Sequence, residues 1–204
     1  MLWVSLEERH PLHLAHELEW LNLKESFARS KAYIDKAFNI IGSNDVEEEG
    51  DAIAVKSELG EPPPPSLPLY LISISGNGME KVVYVGKTQS ENRFEGGHLA
   101  SQKLLHPKYK PYDANLYRCS ITMPINDDWI LLDWIDPFEV AEIILDDVES
   151  QFIHHFRPEL NVNKVTRNCA IHPTTIQIQN IVEKCKQDSF LNDYFIHPPD
   201  TDKN

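Results

Sequence analysis

The chain has 204 residues, with 32 acidic side chains against 19 Lys and Arg, so its formal net charge is −13 at pH 7. This length allows one domain with an appended segment and a sizeable core. The acidic balance argues against a uniformly basic nucleic-acid-binding surface, and no apolar run in the sequence is long enough to span a membrane.

Residues 1–42 predict a helical N-terminal segment. Ser5 and Glu8 have the spacing of a capping box, and apolar residues recur at helical intervals between Leu14 and Ile41. Pro11 is expected at the start of the main helix, where its missing N–H costs nothing. The segment lacks the basic and apolar stretches of a secretory signal.

Cysteine usage indicates a reducing compartment. The three cysteines, Cys119, Cys169 and Cys185, are scattered, and no pair has the spacing of metal ligands. Reduced thiols in a cytoplasmic protein are therefore expected.

The stretch 43–67 predicts an extended or disordered linker. It contains three consecutive glutamates at 47–49 and four consecutive prolines at 62–65. Such a composition favours solvated, stiff chain over a packed core.

A β-hairpin is predicted next, at the start of a domain that spans residues 68–164. Two β-branched runs, at 69–74 and 82–85, flank the sequence Gly76-Asn77-Gly78. A three-residue loop would place Tyr70 opposite Tyr84, whereas a regular two-residue turn would put the two tyrosines on opposite faces. We expect the three-residue loop or an equivalent bulge.

The remaining elements complete an α/β prediction. We expect a helix from about 97 to 105, a third strand over 116–123, and a long helix over 137–156 with Asp136 as its N-cap. A shorter helix over 176–186 would belong to a helical C-terminal extension, 165–204. The predicted fold is a small, mainly antiparallel three-stranded sheet flanked by helices, with a helical N-terminal extension.

Charge is unevenly distributed over the predicted domain. Residues 79–120 carry seven Lys and Arg against four acids, whereas residues 121–160 carry one base against ten acids. We expect the basic residues to form a positive groove on the face that bears Arg93, although a chance fluctuation would give the same count.

Glu149 interrupts an apolar stripe on the long predicted helix. The flanking residues Leu145, Phe152 and Ile153 recur at intervals of three and four. A buried carboxylate requires a partner, which could be a divalent cation or an arginine in a plain salt bridge.

An ordered set of residues resembles the GIY-YIG nuclease family over residues 67–164. The set comprises Tyr70, the Tyr84-Val85-Gly86 motif, Arg93, His98, Glu149 and the segment Pro158-Glu159-Leu160-Asn161. Pro68 stands where the family has its first glycine, and the interval from Arg93 to His98 is one residue longer than usual. Gly97 would let a helix begin between the two, with Arg93 in the preceding turn.

The resemblance implies a role for each matched residue. Tyr70 would act as general base, Tyr84 would position water or the phosphate, and Arg93 would neutralise charge on the phosphate. His98 would help Tyr70 to release its proton. Glu149 would hold Mg²⁺ or Mn²⁺ with water completing the shell. The catalytic group is expected to converge on one concave patch.

Substrate contacts are expected from Lys87, Gly86 and Asn161. Lys87 would contact phosphate as a point charge, and Asn161 would hold backbone near the site. Each tyrosine also has an ordinary structural explanation, because tyrosines commonly pack in strands.

The function implied is a metal-dependent endonuclease that hydrolyses phosphodiesters, with double-stranded DNA as the expected partner. Restriction, repair and mobile-element roles remain open. An inactive binding module of the same fold is the alternative from another class, and a nuclease that acts on RNA is a third.

Overall fold

The computed structural model describes residues 1–42, 49–90, 94–95, 97–126, 128–182 and 189–198. Within them, one curled half-barrel sheet contains seven strands. These are β1 (Leu2–Pro11), β2 (Leu69–Gly76), β3 (Met79–Lys87), β4 (Asp113–Ile125), β5 (Asp128–Leu131), β6 (Ile176–Asn180) and β7 (Tyr194–Ile196). The strand order is β3-β2-β4-β1-β6-β7, and β5 pairs with the end of β4.

The helices are α1 (Leu23–Ile41), α2 (Glu49–Leu59), α3 (Leu99–Lys103) and α4 (Phe138–Phe156). The Asn22 side chain caps α1 by accepting the Glu25 N–H at 2.9 Å. The predicted long helix is found with its start at Phe138 and with Pro137, not Asp136, at the N-cap. The helix predicted from about 97 to 105 is shorter in the structure, where it runs from Leu99 to Lys103.

The predicted fold class is wrong in the size of the sheet and in the N-terminal segment. Instead of an all-helical extension, the chain opens with β1, which lies inside the sheet between antiparallel β4 and parallel β6. Leu2, Val4 and Leu6 are buried at alternate positions, so the local pattern has the period of a strand. The capping box expected at Ser5 does not form, because Ser5 is in this strand.

Two further elements correct the prediction. Part of the expected linker is helical, since α2 occupies residues 49–59, while its first glutamates lie outside the described residues. The expected helix over 176–186 begins instead as β6, where Ile176 and Ile178 are buried and Gln177 alternates with them. Its later residues, 183–186, are outside the described residues.

The sheet has a packed core on each face. On one face, α4 contributes Ala141, Leu145, Val148, Phe152 and Ile153 against Leu69, Leu71, Val85 and Tyr117. On the other face, Tyr70, Ile72, Val83 and Leu116 pack with Leu12, Trp20, Phe94, Ala100 and Leu160. This second face carries the two tyrosines.

The hairpin between β2 and β3 has a two-residue turn, so the predicted three-residue loop is wrong. Asn77 and Gly78 adopt positive φ angles of 53° and 76°, and Gly76 pairs with Met79. A bulge follows, because Ser73 pairs with Val82 while Ile72 pairs with Tyr84. This shift of one residue places Tyr70 and Tyr84 on the same face of the sheet. It is the bulge that was expected as an equivalent of the three-residue loop.

Candidate functional site

An aromatic cluster brings together three of the predicted catalytic residues. The ring centroids of Tyr70 and Tyr84 are 6.0 Å apart, and that of His98 lies 6.0 Å from the first and 5.1 Å from the second. Trp20 and Phe94 complete the cluster, with Phe94 stacked between Trp20 at 4.8 Å and His98 at 4.6 Å. The cluster is thus fixed from several sides, which holds the tyrosine rings in defined orientations.

Tyr70 and His98 form a buried polar pair inside this cluster. The Tyr70 hydroxyl lies 3.0 Å from His98 Nε2, and the side chains are 0% and 7% exposed. His98 occupies the N-cap position of α3 with extended backbone, which turns its ring toward the sheet. Tyr70 is enclosed and does not contact solvent, whereas Tyr84 is half-buried.

Gly86 is required by the packing of both tyrosines. A β-carbon at this position would lie 2.6 Å from Tyr70 Oη, 2.7 Å from Tyr70 Cζ and 2.8 Å from Tyr84 Cε1. Gly86 pairs directly with Tyr70 across the hairpin. The glycine therefore supplies the space into which the tyrosine rings fit, and its predicted contact with substrate is not needed to explain it.

Asn161 binds the edge strand β3. Its Oδ1 accepts the Val85 N–H and its Nδ2 donates to the Val85 carbonyl, each at 2.9 Å. Leu160 adds a backbone hydrogen bond to Val83 at 3.0 Å. Arg157, with φ of 45°, ends α4 in the left-handed conformation and turns the chain toward this edge. Asn161 thus holds the backbone beside Tyr84, as expected from the sequence.

Glu149 lies on α4 with its carboxylate bound by a lysine. Lys164 Nζ is 2.6 Å from Glu149 Oε2, and the two side chains are 26% and 13% exposed. The carboxylate is thus bound by this ammonium and not by either tyrosine. One helical turn earlier, Lys87 binds Asp146 in the same manner. Two carboxylates therefore follow one stripe of α4, each neutralised by a lysine.

Lys87 points away from the tyrosines. It pairs with Leu69, whereas Gly86 pairs with Tyr70, so Lys87 lies on the α4 face of the sheet. Its side chain lines a cavity of about 680 Å³ between the start of α1, the end of β3 and α4. The structure therefore separates Lys87 from the aromatic cluster with which it was grouped as a substrate contact.

Basic residues gather at one end of the tyrosine-bearing face. Lys81 pairs with Ile74 and so shares the face of Tyr70. Lys103 Nζ lies 3.4 Å from the Leu160 carbonyl, and Lys108 Nζ lies 3.2 Å from Glu159. Burial acts to raise the pKa of Glu159, but the hydrogen bond and charge of Lys108, aided by the charge of Lys81, lower it.

Arg118 faces the same side but is already engaged. It binds Glu8 through two nitrogens, at 2.7 and 2.6 Å, and lies over the Trp20 ring at 5.4 Å. Three described bases of the 79–120 stretch, Lys81, Lys103 and Lys108, thus lie near residues 159–160. Because Arg93 lies outside the described residues, the expected groove on its face stays a prediction.

Of the five catalytic residues expected to converge, the structure brings together Tyr70, Tyr84 and His98. Glu149 does not join them, because it lies on α4, which packs on the opposite face of the sheet, and its carboxylate is bound by Lys164. Arg93 lies outside the described residues. Sequence analysis did not single out Trp20, Phe94 or Lys164. Phe94 could have been considered because it lies between the two predicted site residues Arg93 and His98. Lys164 could have been considered because it lies three residues after Asn161.

Among the described residues, no three His, Cys, Asp or Glu side chains are grouped as metal ligands. Over the same part of the chain, none of the helices combines the length and apolar content that a bilayer span requires.

The comparisons with known proteins find no counterpart. No protein-family model, curated protein or solved structure matches this chain.

Proposed function

We propose that this protein is a divalent-metal-dependent endonuclease that hydrolyses phosphodiester bonds in DNA. The observation that carries the proposal is the cluster of Tyr70, Tyr84 and His98 beside a strand edge that Asn161 fixes. The ordered sequence pattern, which resembles that of GIY-YIG nucleases, supports it.

The two tyrosines differ in burial, and we therefore assign them different roles. Tyr84 is the half-buried member, so it is assigned the contact with the attacking water or the phosphate. Tyr70 is enclosed and bonded to His98 Nε2, so it is a positioning residue that orients the imidazole. His98 is itself buried and its Nε2 is bonded to Tyr70, so with its ring 5.1 Å from that of Tyr84 it is assigned to orient Tyr84 and not to take a proton from water directly.

We assign contact with the phosphate to Arg93 because of its place in the sequence pattern. A guanidinium offers a planar fork of donors that matches phosphate oxygens. Its position in the chain, directly before Phe94 of the aromatic cluster, is consistent with this role.

The metal would be held by Glu149, with Asp146 one turn earlier available through water. Carboxylate oxygens are the ligands that Mg²⁺ and Mn²⁺ prefer, but in the structure Lys164 and Lys87 occupy these two carboxylates, and the described residues hold no group of three metal-ligating side chains. When bound, the cation would polarise a phosphoryl oxygen and stabilise negative charge.

Substrate binding is assigned to Lys81, Lys103 and Lys108. Their gathering around residues 159–160 gives a local positive region on a chain of net charge −13. Binding that depends on such contacts weakens steeply as salt is added. Affinity for DNA that does not change with ionic strength would contradict this assignment.

A non-catalytic binding module is the second candidate. The complete burial of Tyr70 and the pairing of Glu149 with Lys164 favour it, because both limit access to groups that catalysis would use. Under this alternative the cluster is a structural core, and DNA or another partner would bind without being cleaved.

Plasmid cleavage separates the two candidates. Supercoiled DNA is incubated with Mg²⁺ or EDTA and with the wild type, Glu149→Gln, Tyr84→Phe, or Glu142→Gln as a control on the exposed side of the same helix. We expect metal-dependent nicking by the wild type and the control, and a loss of about 100-fold or more in the other two variants. Parallel reactions with branched DNA and single-stranded RNA identify the substrate class. Absence of cleavage on all three substrates would refute the nuclease proposal.

A further inference from the structure

We propose that the pocket at the C-terminal end of α4 binds a phosphate group, either as the free ion or as part of a small molecule. The pocket has a volume of about 260 Å³, and its polar lining includes His154, His155, Arg157, Asn168 and His197. This volume is below the roughly 300–1,000 Å³ typical of sites for drug-sized ligands, so it suits a tetrahedral anion with a few attached atoms. The pocket is separate from the tyrosine cluster, because α4 packs on the opposite face of the sheet. It binds its ligand whether or not the protein cleaves DNA.

The charge of the pocket lining has one sign. Three imidazoles and the Arg157 guanidinium line the pocket, and among the described residues around it none is Asp or Glu. The acids on either side of Arg157 in the sequence, Glu149 and Glu159, are bound by Lys164 and Lys108 instead. On a chain of net charge −13, this is a local positive region whose charge an anion from solution would neutralise.

Hydrogen bonds orient the side chains of the pocket and leave donors for a ligand. Asn168 Oδ1 accepts the Ala170 N–H at 3.0 Å, so the Nδ2 group remains as a donor. His155 Nε2 lies 2.8 Å from the Tyr194 hydroxyl, which holds the ring and leaves Nδ1 for another partner. Arg157 adds a planar fork of N–H groups, which matches the oxygens of a phosphate.

Protonation of the histidines controls the strength of binding. Partial burial lowers the pKa of His155, and the charges of His154 and His197 lower it further. The other titratable groups around them in the described part of the chain are Arg157 and Tyr194. A bound anion offsets the repulsion between the imidazoles and favours their protonated forms. Binding therefore takes up protons, and the affinity increases as pH falls through the ordinary range of histidine, about 6–7.

The dipole of α4 opposes the anion only weakly. The C-terminal end of a helix carries about half a unit of negative charge, which favours protonated His154 and His155. The charges of the imidazoles and the guanidinium outweigh it. Because His155, Arg157 and His197 are exposed, water and salt screen each of them, and we expect a dissociation constant on the order of 1 mM.

Titration of the full chain with sulfate, followed by amide NMR at constant ionic strength, tests the site. Sulfate keeps both charges between about pH 5.5 and about pH 8, so a change of affinity in this range comes from the histidines. Arg157→Gly removes the guanidinium, and glycine suits the φ of 45° at this position. His197→Gln removes one imidazole. Arg29→Gln is the matched control, because Arg29 is an exposed arginine of α1 outside the pocket.

At about pH 5.5 we expect sulfate to shift the amide signals around the pocket. Arg157→Gly should bind about tenfold more weakly than the wild type and His197→Gln about threefold, because each loses a charge-assisted contact. Wild-type affinity should fall about tenfold by about pH 8, and Arg29→Gln should match the wild type.

Equal affinity in Arg157→Gly and the wild type, or an equal loss in Arg29→Gln, overturns the proposal, because binding would then follow the overall charge. An affinity that does not change with pH overturns it as well. Inorganic phosphate and glycerol phosphate are titrated next: tighter binding of the ester identifies a small-molecule ligand, and tighter binding of inorganic phosphate identifies the free ion. A pocket that binds sulfate but neither phosphate contradicts the assignment. None of these results bears on plasmid cleavage.

Discussion

Replacing Gly86 with alanine is the sharpest test of the tyrosine arrangement. The added methyl group would lie 2.6–2.8 Å from atoms of two aromatic rings. The Tyr70 ring does not move away easily, because it is fully buried and its centroid lies 5.4 Å from that of Trp20 and 5.6 Å from that of Phe94. The strain must therefore be taken up by a shift of the tyrosines or of β3.

The loss of stability expected from Gly86→Ala lies at the upper end of the range for adding a methyl group to a packed core. We expect Gly86→Ala to lower the free energy of unfolding by about 2–3 kcal/mol, and to lower Tm by roughly 5–10 °C for a chain of this size. Urea and thermal unfolding followed by circular dichroism measure both quantities. Tyr70→Phe removes the atom closest to the new methyl group, so the double variant should cost about 1 kcal/mol less than the sum of the two single changes.

A matched control comes from Gly50 in α2. A β-carbon at that glycine meets no atom within 4 Å, so Gly50→Ala should leave stability unchanged or raise it by up to about 1 kcal/mol, as expected in a helix. If Gly86→Ala is as stable as the control, the two tyrosines do not pack over Gly86 and the geometry of the candidate site is wrong.

Three further predictions concern other parts of the chain. Asn161→Ala should destabilise the protein by about 1–3 kcal/mol and speed hydrogen exchange at the Val85 amide, and unchanged exchange would contradict the edge contact. Burial raises the pKa of the Cys119 thiol, so a thiol reagent followed by mass spectrometry should label the exposed Cys169 in the native protein but Cys119 only after denaturation. Burial and neighbouring histidines lower the pKa of His155, so protonation favours the unfolded state and stability should fall as pH decreases below about 6.5. A His155→Gln variant that keeps the full decline in thermal stability would refute this.

The elements predicted well are those whose signals are local. The long helix was expected at 137–156 and is found at Phe138–Phe156, because its apolar stripe and the preceding proline are both encoded within the segment. The hairpin was expected from its β-branched runs and glycines. Its turn has two residues where three were expected, and the bulge at Val83, offered as the equivalent, keeps the two tyrosines on one face.

The elements predicted poorly depend on distant partners. Leu2, Val4 and Leu6 alternate as a strand requires, but the helical periodicity that begins at Leu14 was extended back over them. Whether the first segment joins the sheet is decided by β4 and β6, which local sequence does not reveal. In the same way, the sequence placed Glu149 correctly on a helix but could not show that Lys164 binds it.

The position of β1 also constrains the order in which this protein can fold. Leu2 pairs with Ile176, so strands from opposite ends of the sequence must meet before the sheet is complete. During synthesis β1 emerges before β4 and β6, so it cannot take its place in the sheet until both have been made. Contacts of such long sequence separation slow folding. A fragment limited to residues 68–164 would leave β4 without its neighbour β1, so a fragment for expression needs to include β1 and β6.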